Sequence, residues 1–468
     1  MKVLIVGAGK LGYKLAQHMI LEDIEVVLMD TNPQALQRIN DHIDVLTIVG
    51  NGIDIEILKS IHIHEFDLLI GATGSDESNT LICSLGKKLA CKKTIARVRN
   101  PEYMKQVDFI KESMGIDIII NPDLATAKAI ERNIFNSLSF HCDEFAKGKV
   151  QMLDFHIGYH EDFIGKRLMD LVGFEHLLIT AISRDGKIII PHGSTTMEEN
   201  DLIYIIGKSE DVRAFNQKYS HSSEEKKIEK VMILGGSNIA YYLAKSLEEK
   251  RIGVKIIEQK KERAQSLSNE LNEALIIYGD GTNINLLEEE NLDEMDAFVG
   301  ATGFDEQNIL MAIMAKQAGV RKSIAKISRQ NYTKIIDRLD VDIAINPVSI
   351  TASSILKLIR GGRVESISLL LDGDAEVTEI LVGEDSPFIN KPLSDLSLPK
   401  GIIIGAIVDK DRVIIPKGKD TIFPGNRIVL FCTNEELSTL RKFYRPKKGG
   451  RLDELWNNIK GSRNHLNN

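Results

Sequence analysis

The chain has 468 residues, 43% of them hydrophobic and 27% charged, with a formal net charge of −8. Roughly three or four domains fit that length, and an acidic balance without a clustered basic face argues against a nucleic-acid partner. Four cysteines, Cys83, Cys91, Cys142 and Cys432, include no C-x-x-C pair, so neither a zinc site nor a disulfide framework is signalled and no metal is expected.

Residues 1 to about 135 alternate short apolar runs with helical stretches. The runs are Val3–Val6, Val26–Met29, Leu46–Val49, Leu68–Ile70, Ile95–Val98 and Ile118–Ile120. Val- and Ile-rich runs of this length suit strands covered on both faces of a parallel sheet. Between them Leu11, Leu15 and Met19, and again Leu81, Leu85 and Leu89, recur at helical spacing. Sustained strand-helix alternation predicts an α/β, Rossmann-like doubly wound parallel sheet. From about 143 to 220 the pattern changes to short strands, Asp154–Ile157, Leu177–Ser183, Lys187–Ile190 and Leu202–Ile206, with a hairpin signal at Arg184-Asp-Gly-Lys187. This predicts a small β-rich α+β module.

The whole arrangement then repeats. Lys2–Gly12 is answered by Lys230–Ala240, Ile48–Gly52 by Ile277–Gly281, and Gly71–Glu77 by Gly300–Glu306. Ile95-Ala-Arg97 is answered by Ile324-Ala-Lys326, and Ile188–Gly193 by Val413–Gly418, at offsets of 225 to 229 residues. The expected domains are therefore 1–135, 143–220, 229–350 and 367–445, with a solvated linker at 218–230 and a basic, fraying tail at 446–468. The longest apolar runs, such as Ile402–Val408, fall far short of the roughly 18 residues that span a bilayer, and the N-terminus lacks a signal-peptide pattern. A cytoplasmic protein without direct membrane insertion is expected, with any membrane role coming through a partner.

The turn Gly7-Ala-Gly9-Lys-Leu-Gly12 has the dinucleotide-binding spacing, and it follows a strand and opens a helix as the mechanism demands. Gly7 permits the tight turn, Gly9 lets the backbone approach a pyrophosphate and Gly12 lets the helix pack on the sheet. The helix N-terminus presents free N–H groups to the phosphates. Asp30 ends the second strand, where a carboxylate meets ribose hydroxyls, so NAD(H) or an adenine nucleotide such as ATP or ADP is favoured over NADP. Ala72–Ser75 should lie at the carboxyl edge of the sheet, with Ser75 or Asp76 capping the next helix. Arg97, amid strand residues, implies either a phosphate or an acidic neighbour. In the second copy Ser237 and Ala240 replace two glycines and Glu258 stands for Asp30, which leaves open a second nucleotide site or a degenerate scaffold. The candidate cofactor-binding residues are Gly7, Ala8, Gly9, Lys10, Leu11, Gly12, Asp30, Asn51, Gly52, Thr73, Gly74 and Arg97. Their second-copy counterparts are Gly235, Ser237, Ile239, Glu258, Asp280, Thr302 and Lys326.

A dehydrogenase would need a proton donor or acceptor beside the nicotinamide. His156, His160, His176 and His192 are the candidates, but the second copy places no histidine opposite them, and no catalytic motif appears. A non-enzymatic, ligand-driven device is the leading reading and an NAD-dependent oxidoreductase with an atypical substrate domain is the alternative.

Taken together, Gly7–Gly12, Asp30, Val49-Gly-Asn-Gly52, Thr73 with Asp76–Asn79, and Ala96–Tyr103 resemble the TrkA family from Met1 to about Tyr444. That family comprises cytosolic nucleotide-binding subunits of bacterial and archaeal Trk potassium uptake systems, with tandem RCK/KTN domains. The resemblance implies regulation of an integral membrane potassium-translocating subunit, peripheral attachment to the inner face of the membrane, a homo-oligomeric ring and binding of NAD(H) and ATP or ADP. Ser237 and Ala240 depart from the pattern. Related domains serve several transporters, so an adaptor for a different one stays open.

Overall fold

Every second element of the N-terminal half is a run of β-branched and leucine side chains, and burying both faces of each run dictates where the chain goes. The computed structural model describes residues 1–135, 142–158, 160, 162–219, 227–329, 332, 339 and 341–444. The tail at 446–468 and most of the linker at 218–230 lie outside the described residues. Contacts divide the chain into two units that gather like with like. One holds Met1–Ile134, Ile228–Arg329 and Ile345–Ala352; the other holds the described residues of 135–227, 330–344 and 353–444.

The first unit contains two parallel six-stranded sheets. The strands of one are β1 (Lys2–Val6), β2 (Glu25–Asp30), β3 (Leu46–Val49), β4 (Leu68–Gly71), β5 (Thr94–Arg97) and β6 (Ile118–Ile120), in the order β3-β2-β1-β4-β5-β6. That is the doubly wound order, with its switch point between β1 and β4. Leu4, Val6, Val27, Met29 and Leu69 pack on one face against Leu58, Phe66 and Ile82. The predicted strand runs are all present. One differs in environment: Leu46–Val49 is the edge strand, with Leu46 63% and Val49 58% exposed. Leu81 is also exposed, because the helix Asp76–Lys88 turns Ile82, Cys83 and Gly86 to the sheet. Between these two groups the unit's second sheet repeats the first. After the β-rich segment the strands β12 (Lys230–Leu234), β13 (Gly253–Glu258), β14 (Leu275–Tyr278), β15 (Ala297–Gly300), β16 (Lys322–Lys326) and β17 (Ile343–Ile345) take the order β14-β13-β12-β15-β16-β17.

The second unit contains two antiparallel five-stranded sheets. In one, β7 (Cys142–Phe145), β8 (Val150–His156), β9 (Leu177–Arg184), β10 (Lys187–Ile189) and β11 (Leu202–Lys208) lie in the order β10-β9-β11-β8-β7. The Arg184/Lys187 pair closes the predicted hairpin. In the other, β18 (Val364–Leu370), β19 (Ala375–Leu381), β20 (Ile402–Asp409), β21 (Arg412–Ile414) and β22 (Arg427–Thr433) lie in the order β18-β19-β22-β20-β21. Phe145, Met152 and Tyr204 of one sheet share a core with Val377, Val408 and Phe431 of the other. Arg360 lies buried against Glu376, with both guanidinium nitrogens on the carboxylate and Thr378 donating to the same group. Burial of that kind is tolerated because the pair is closed by hydrogen bonds. The tight β10-β9 and β21-β20 turns, and the bridges Arg167/Thr196 and Pro392/Thr421, repeat at matching places in the two sheets.

Candidate functional site

The carboxyl ends of β1 and β4 diverge at the switch point and open a cleft of about 820 Å³. At its floor Gly7 adopts φ +120°, and a Cβ there would come within 2.7 Å of the Ala72 carbonyl carbon. The Gly12 position is pressed against the Gly7 carbonyl, so it serves helix packing and does not line the cleft. Gly9 differs from both: its backbone is extended, and an added Cβ would meet nothing within 4 Å. Space is therefore left where a pyrophosphate approaches the turn. Gly9 caps the helix Lys10–Leu21 without a side-chain hydrogen bond, so that helix's first N–H groups stay available to an anion.

Asp30 is fixed by two backbone bonds. Its Oδ2 accepts from the Ala8 amide at 2.6 Å and its Oδ1 from Asn32 at 2.8 Å. Ala8 thus acts through its backbone, holding the acid in place. A carboxylate has about four lone-pair sites, so two remain for ribose hydroxyls. Asn51 bonds the Ile53 amide and lines the wall with Gly52. On the far side Asn79, fully buried, accepts from the Thr73 amide and hydroxyl at 2.8 and 2.7 Å. The same side chain donates to the carbonyls of Thr73 and Arg97. One amide side chain thereby locks the ends of β4 and β5 together. Ser75 caps the helix Asp76–Lys88 through Ser78, whereas Asp76 accepts from the amides of Arg99 and Asn100.

Arg97 donates to the Thr73 carbonyl at 3.0 Å, a neutral acceptor. Burial and, after it, the neighbouring Arg99 lower its pKa. Among the described residues no carboxylate is ion-paired with it. Arg99 pairs with the buried Asp123 at 3.0 Å. A third cation comes from the second sheet: Lys326 lines this cleft and bonds the Thr302 carbonyl. Its pKa is lowered chiefly by burial, with Arg99 and Lys10 adding to the shift and Asp305 and Asp123 opposing it. Lys10 reaches back to the Ser328 carbonyl at 2.9 Å. Four cations around one cleft, two of them with depressed pKa, suit a phosphate-bearing ligand.

The cleft thus gathers Gly7, Gly9, Lys10, Leu11, Asp30, Asn51, Gly52, Thr73, Gly74 and Arg97, together with Ile239 and Lys326 from the second copy. Gly235, Ser237, Glu258, Asp280 and Thr302 stand at the second glycine turn and do not line it. That turn is built differently. Glu258 is 8% exposed, where Asp30 is half-buried, and it accepts from the amides of Gly236 and Lys260. The Ser237 hydroxyl caps the helix Asn238–Glu249 through Ala240. Arg263 lays its Nε on the Gly236 carbonyl at 2.6 Å. Asp280 is held by the Thr282 amide and hydroxyl, which lower its pKa.

Sequence reasoning did not single out Arg99, Asp123, Ser328 and Thr351, all in the lining, nor the locking role of Asn79. An asparagine at 79 and again at 308, with the same four bonds, is the signal that was there to be used. His156, His160, His176 and His192 all belong to the antiparallel-sheet unit, and none lines the cleft. The four cysteines are buried, and burial pushes the Cys83 thiol up to about 12 and that of Cys91 up to about 11, far from a reactive thiolate. Among the described residues no group of three or more potential ligands could hold a metal ion, and no helix is long and apolar enough to cross a membrane.

The fold and the cleft define a class: tandem Rossmann-type proteins with a dinucleotide-type glycine turn in the first copy. Comparison with known proteins makes the class specific. The TrkA-N domain model matches residues 3–122 and 231–347, and the TrkA-C domain model matches 152–219 and 377–445. The chain is 33% identical over 453 residues to the Trk system potassium uptake protein TrkA homolog 2 of Methanosarcina mazei, covering 95% of this chain and 100% of that one. It is 32% identical over 458 residues to the Trk system potassium uptake protein TrkA of Haemophilus influenzae, covering 95% and 99%. The chain belongs to the TrkA family. Among solved structures, the GsuK RCK domain aligns with a TM-score of 0.53 at 17% identity, covering 95% of each chain. The GsuK channel bound to NAD aligns with a TM-score of 0.52 at 18% identity, covering 95% of this chain and 79% of that one. These structures share the fold.

Proposed function

We propose that this protein is the regulatory subunit of a Trk-type potassium uptake system and binds NAD(H), or ATP and ADP, in the cleft between β1 and β4. On this reading it acts as a ring of copies on the cytosolic face of an integral membrane potassium-translocating partner. The observation that carries the proposal is the composite cleft. Lys326 and Ser328 of the second copy face Gly9, Asp30 and Arg97 of the first, so a ligand there touches both copies at once. A ligand that contacts two bodies stabilises the seating that suits its own charge and length. Shifting a two-state equilibrium from 1:99 to 99:1 takes about 5.5 kcal/mol, within reach when several subunits each contribute a modest difference. The names of the relatives supply potassium uptake, and the NAD-bound GsuK channel is a precedent for the ligand on the same fold.

The dehydrogenase alternative requires a proton-transfer group at the nicotinamide, and the histidines it invoked are not in the lining. The test is calorimetric titration with NADH, NAD, ATP, ADP and NADPH on the parent protein and on Gly9→Asp, joined to potassium uptake in cells lacking their own TrkA-type subunit. Saturable binding without NADH turnover, abolished in Gly9→Asp together with nucleotide-dependent uptake, is the expected result. Full uptake by Gly9→Asp, or no binding by the parent, would overturn it.

A further inference from the structure

A second cleft of about 690 Å³ opens beside the first in the same unit, and the two share Gly74, Ser75 and Arg99. Its walls come from both nucleotide-type sheets. The loops that follow β4 and β5 supply one side, and Asn238, Arg263 and Ser266 of the second copy supply the other. In the doubly wound order a dinucleotide lies across the switch point, one nucleoside over β1 and β2 and the other over β4 and β5. Asp30, at the end of β2, lines the first cleft, where on the nucleotide reading it holds the first nucleoside. The second nucleoside would then rest on the segments 74–77 and 99–102, which line the second cleft.

The polar groups there discriminate between ligands. Glu77, Glu102 and Glu270 place carboxylates around the rim, which welcome ribose hydroxyls and an amide N–H but repel a further phosphate. Arg263 is held by the Gly236 carbonyl through Nε and by Ser266 through Nη1, and the same Nη1 lies 3.7 Å from the Glu270 carboxylate. Its Nη2 is buried and has no hydrogen-bond partner among the described residues. A carbonyl oxygen from a ligand would satisfy it.

Resting on the nucleotide reading of the first cleft, we infer that the second cleft is the half-site for the nicotinamide riboside end of a dinucleotide, and that Arg263 of the second copy is the residue that distinguishes a dinucleotide from an adenosine di- or triphosphate. Ligands that fill both clefts meet Arg263, whereas ADP, confined to the first, does not. A hydrogen bond to a charged donor is worth about 1.5–3 kcal/mol, which sets the expected change at about tenfold or more.

The test is calorimetric titration of the full chain with NADH and with ADP, on the parent, Arg263→Ala and Ser266→Phe. Arg263→Ala removes the donor, and Ser266→Phe fills the second cleft. The expected result is about a tenfold or greater loss of NADH affinity in each variant, with ADP affinity unchanged within about twofold. Unchanged NADH affinity in both variants would overturn the inference while leaving the first cleft intact. Equal weakening of NADH and ADP would also overturn it, assigning Arg263 to the seating of the two copies alone. Failure of the parent to bind ADP or NADH is a different outcome: it removes the nucleotide reading itself, and the half-site with it.

Discussion

Gly7 and Gly9 sit two residues apart and have opposite reasons to be glycine. Gly7 is needed by the fold: its φ of +120° and the 2.7 Å approach of Ala72 leave no room for a side chain. Gly7→Ala is expected to cost about 2 kcal/mol or more, read as a lowered denaturation midpoint. Nothing in the fold meets a Cβ at Gly9, so on the nucleotide reading it is the ligand that needs a glycine there. Gly9→Ala should leave the melting temperature within about 2 °C of the parent while weakening ADP and NADH by about tenfold, because the methyl group takes the space open to the pyrophosphate. A Gly9→Ala protein that melts early but binds normally would reverse these assignments. Lys326 carries the same separation into pH. In the folded, ligand-free chain its pKa is lowered, so between that value and the unfolded one the unfolded state binds more protons and stability rises with pH. A bound phosphate favours the ammonium form, so binding takes up a proton and affinity falls as pH climbs through the ligand-free pKa. Lys326→Met should therefore keep or raise the ligand-free melting temperature, weaken ADP at neutral pH and flatten its pH dependence. Titrations in two buffers of different ionisation enthalpy, from about pH 7 to about pH 10, would read that proton uptake directly.

At the scale of elements, the strand runs were legible because burial on both faces leaves a contiguous apolar signature, and the glycine turn was legible because its spacing reports a backbone geometry. What escaped was anything decided by which face or edge an element presents. Leu46–Val49 is apolar yet forms the edge, and Leu81 keeps helical spacing yet faces outward. Strand β7 (Cys142–Phe145), with acids at 143 and 144, has no apolar run to announce it. Asn79 was visible as the end of the Asp76–Asn79 motif but its locking role was not, because its four bonds join segments 6 and 18 residues away. Those bonds make a prediction at this scale. Asn79→Ala strands the Thr73 amide and removes one donor from the carbonyls of Thr73 and Arg97, although the Thr73 carbonyl keeps the Arg97 guanidinium, at an expected cost of about 1–3 kcal/mol in urea unfolding. Nucleotide binding should weaken as well, since Thr73 and Arg97 lose their common anchor. Asn308→Ala should destabilise by a similar amount, because Asn308 ties Thr302 to Lys326 in the same way. A negligible stability change in either variant would mean that the loops hold their shape without the amide.

For the molecule as a whole, the internal repeat was plain in the sequence because each copy must rebuild the same backbone-binding circuits, down to an acid after the second strand and an asparagine after the fourth. The sequence could not say that the copies had parted in function, since that depends on how they pack. Ile239 and Lys326 align with first-copy residues, yet they line the first copy's cleft and not one of their own. Meanwhile Glu258 has sunk to 8% exposure beneath Gly236, Ser237 has capped its own helix, and Arg263 lies on the turn. On the proposed reading the second copy is the wall and cation donor of the nucleotide site of the first, and each chain should bind one nucleotide. Asp30→Ala and Glu258→Ala separate the two roles. Asp30 has its ribose-facing lone pairs to lose, so Asp30→Ala should abolish binding, at a smaller stability cost than Glu258→Ala because the amides it leaves, Ala8 and Asn32, are reached by water. Glu258 satisfies the buried Gly236 amide and the part-buried Lys260 amide, so its removal should cost about 1–3 kcal/mol of stability while the calorimetric stoichiometry stays at one per chain. Two equivalents bound by the parent, or one lost on Glu258→Ala, would make the second turn a working site and return the chain to a symmetric pair.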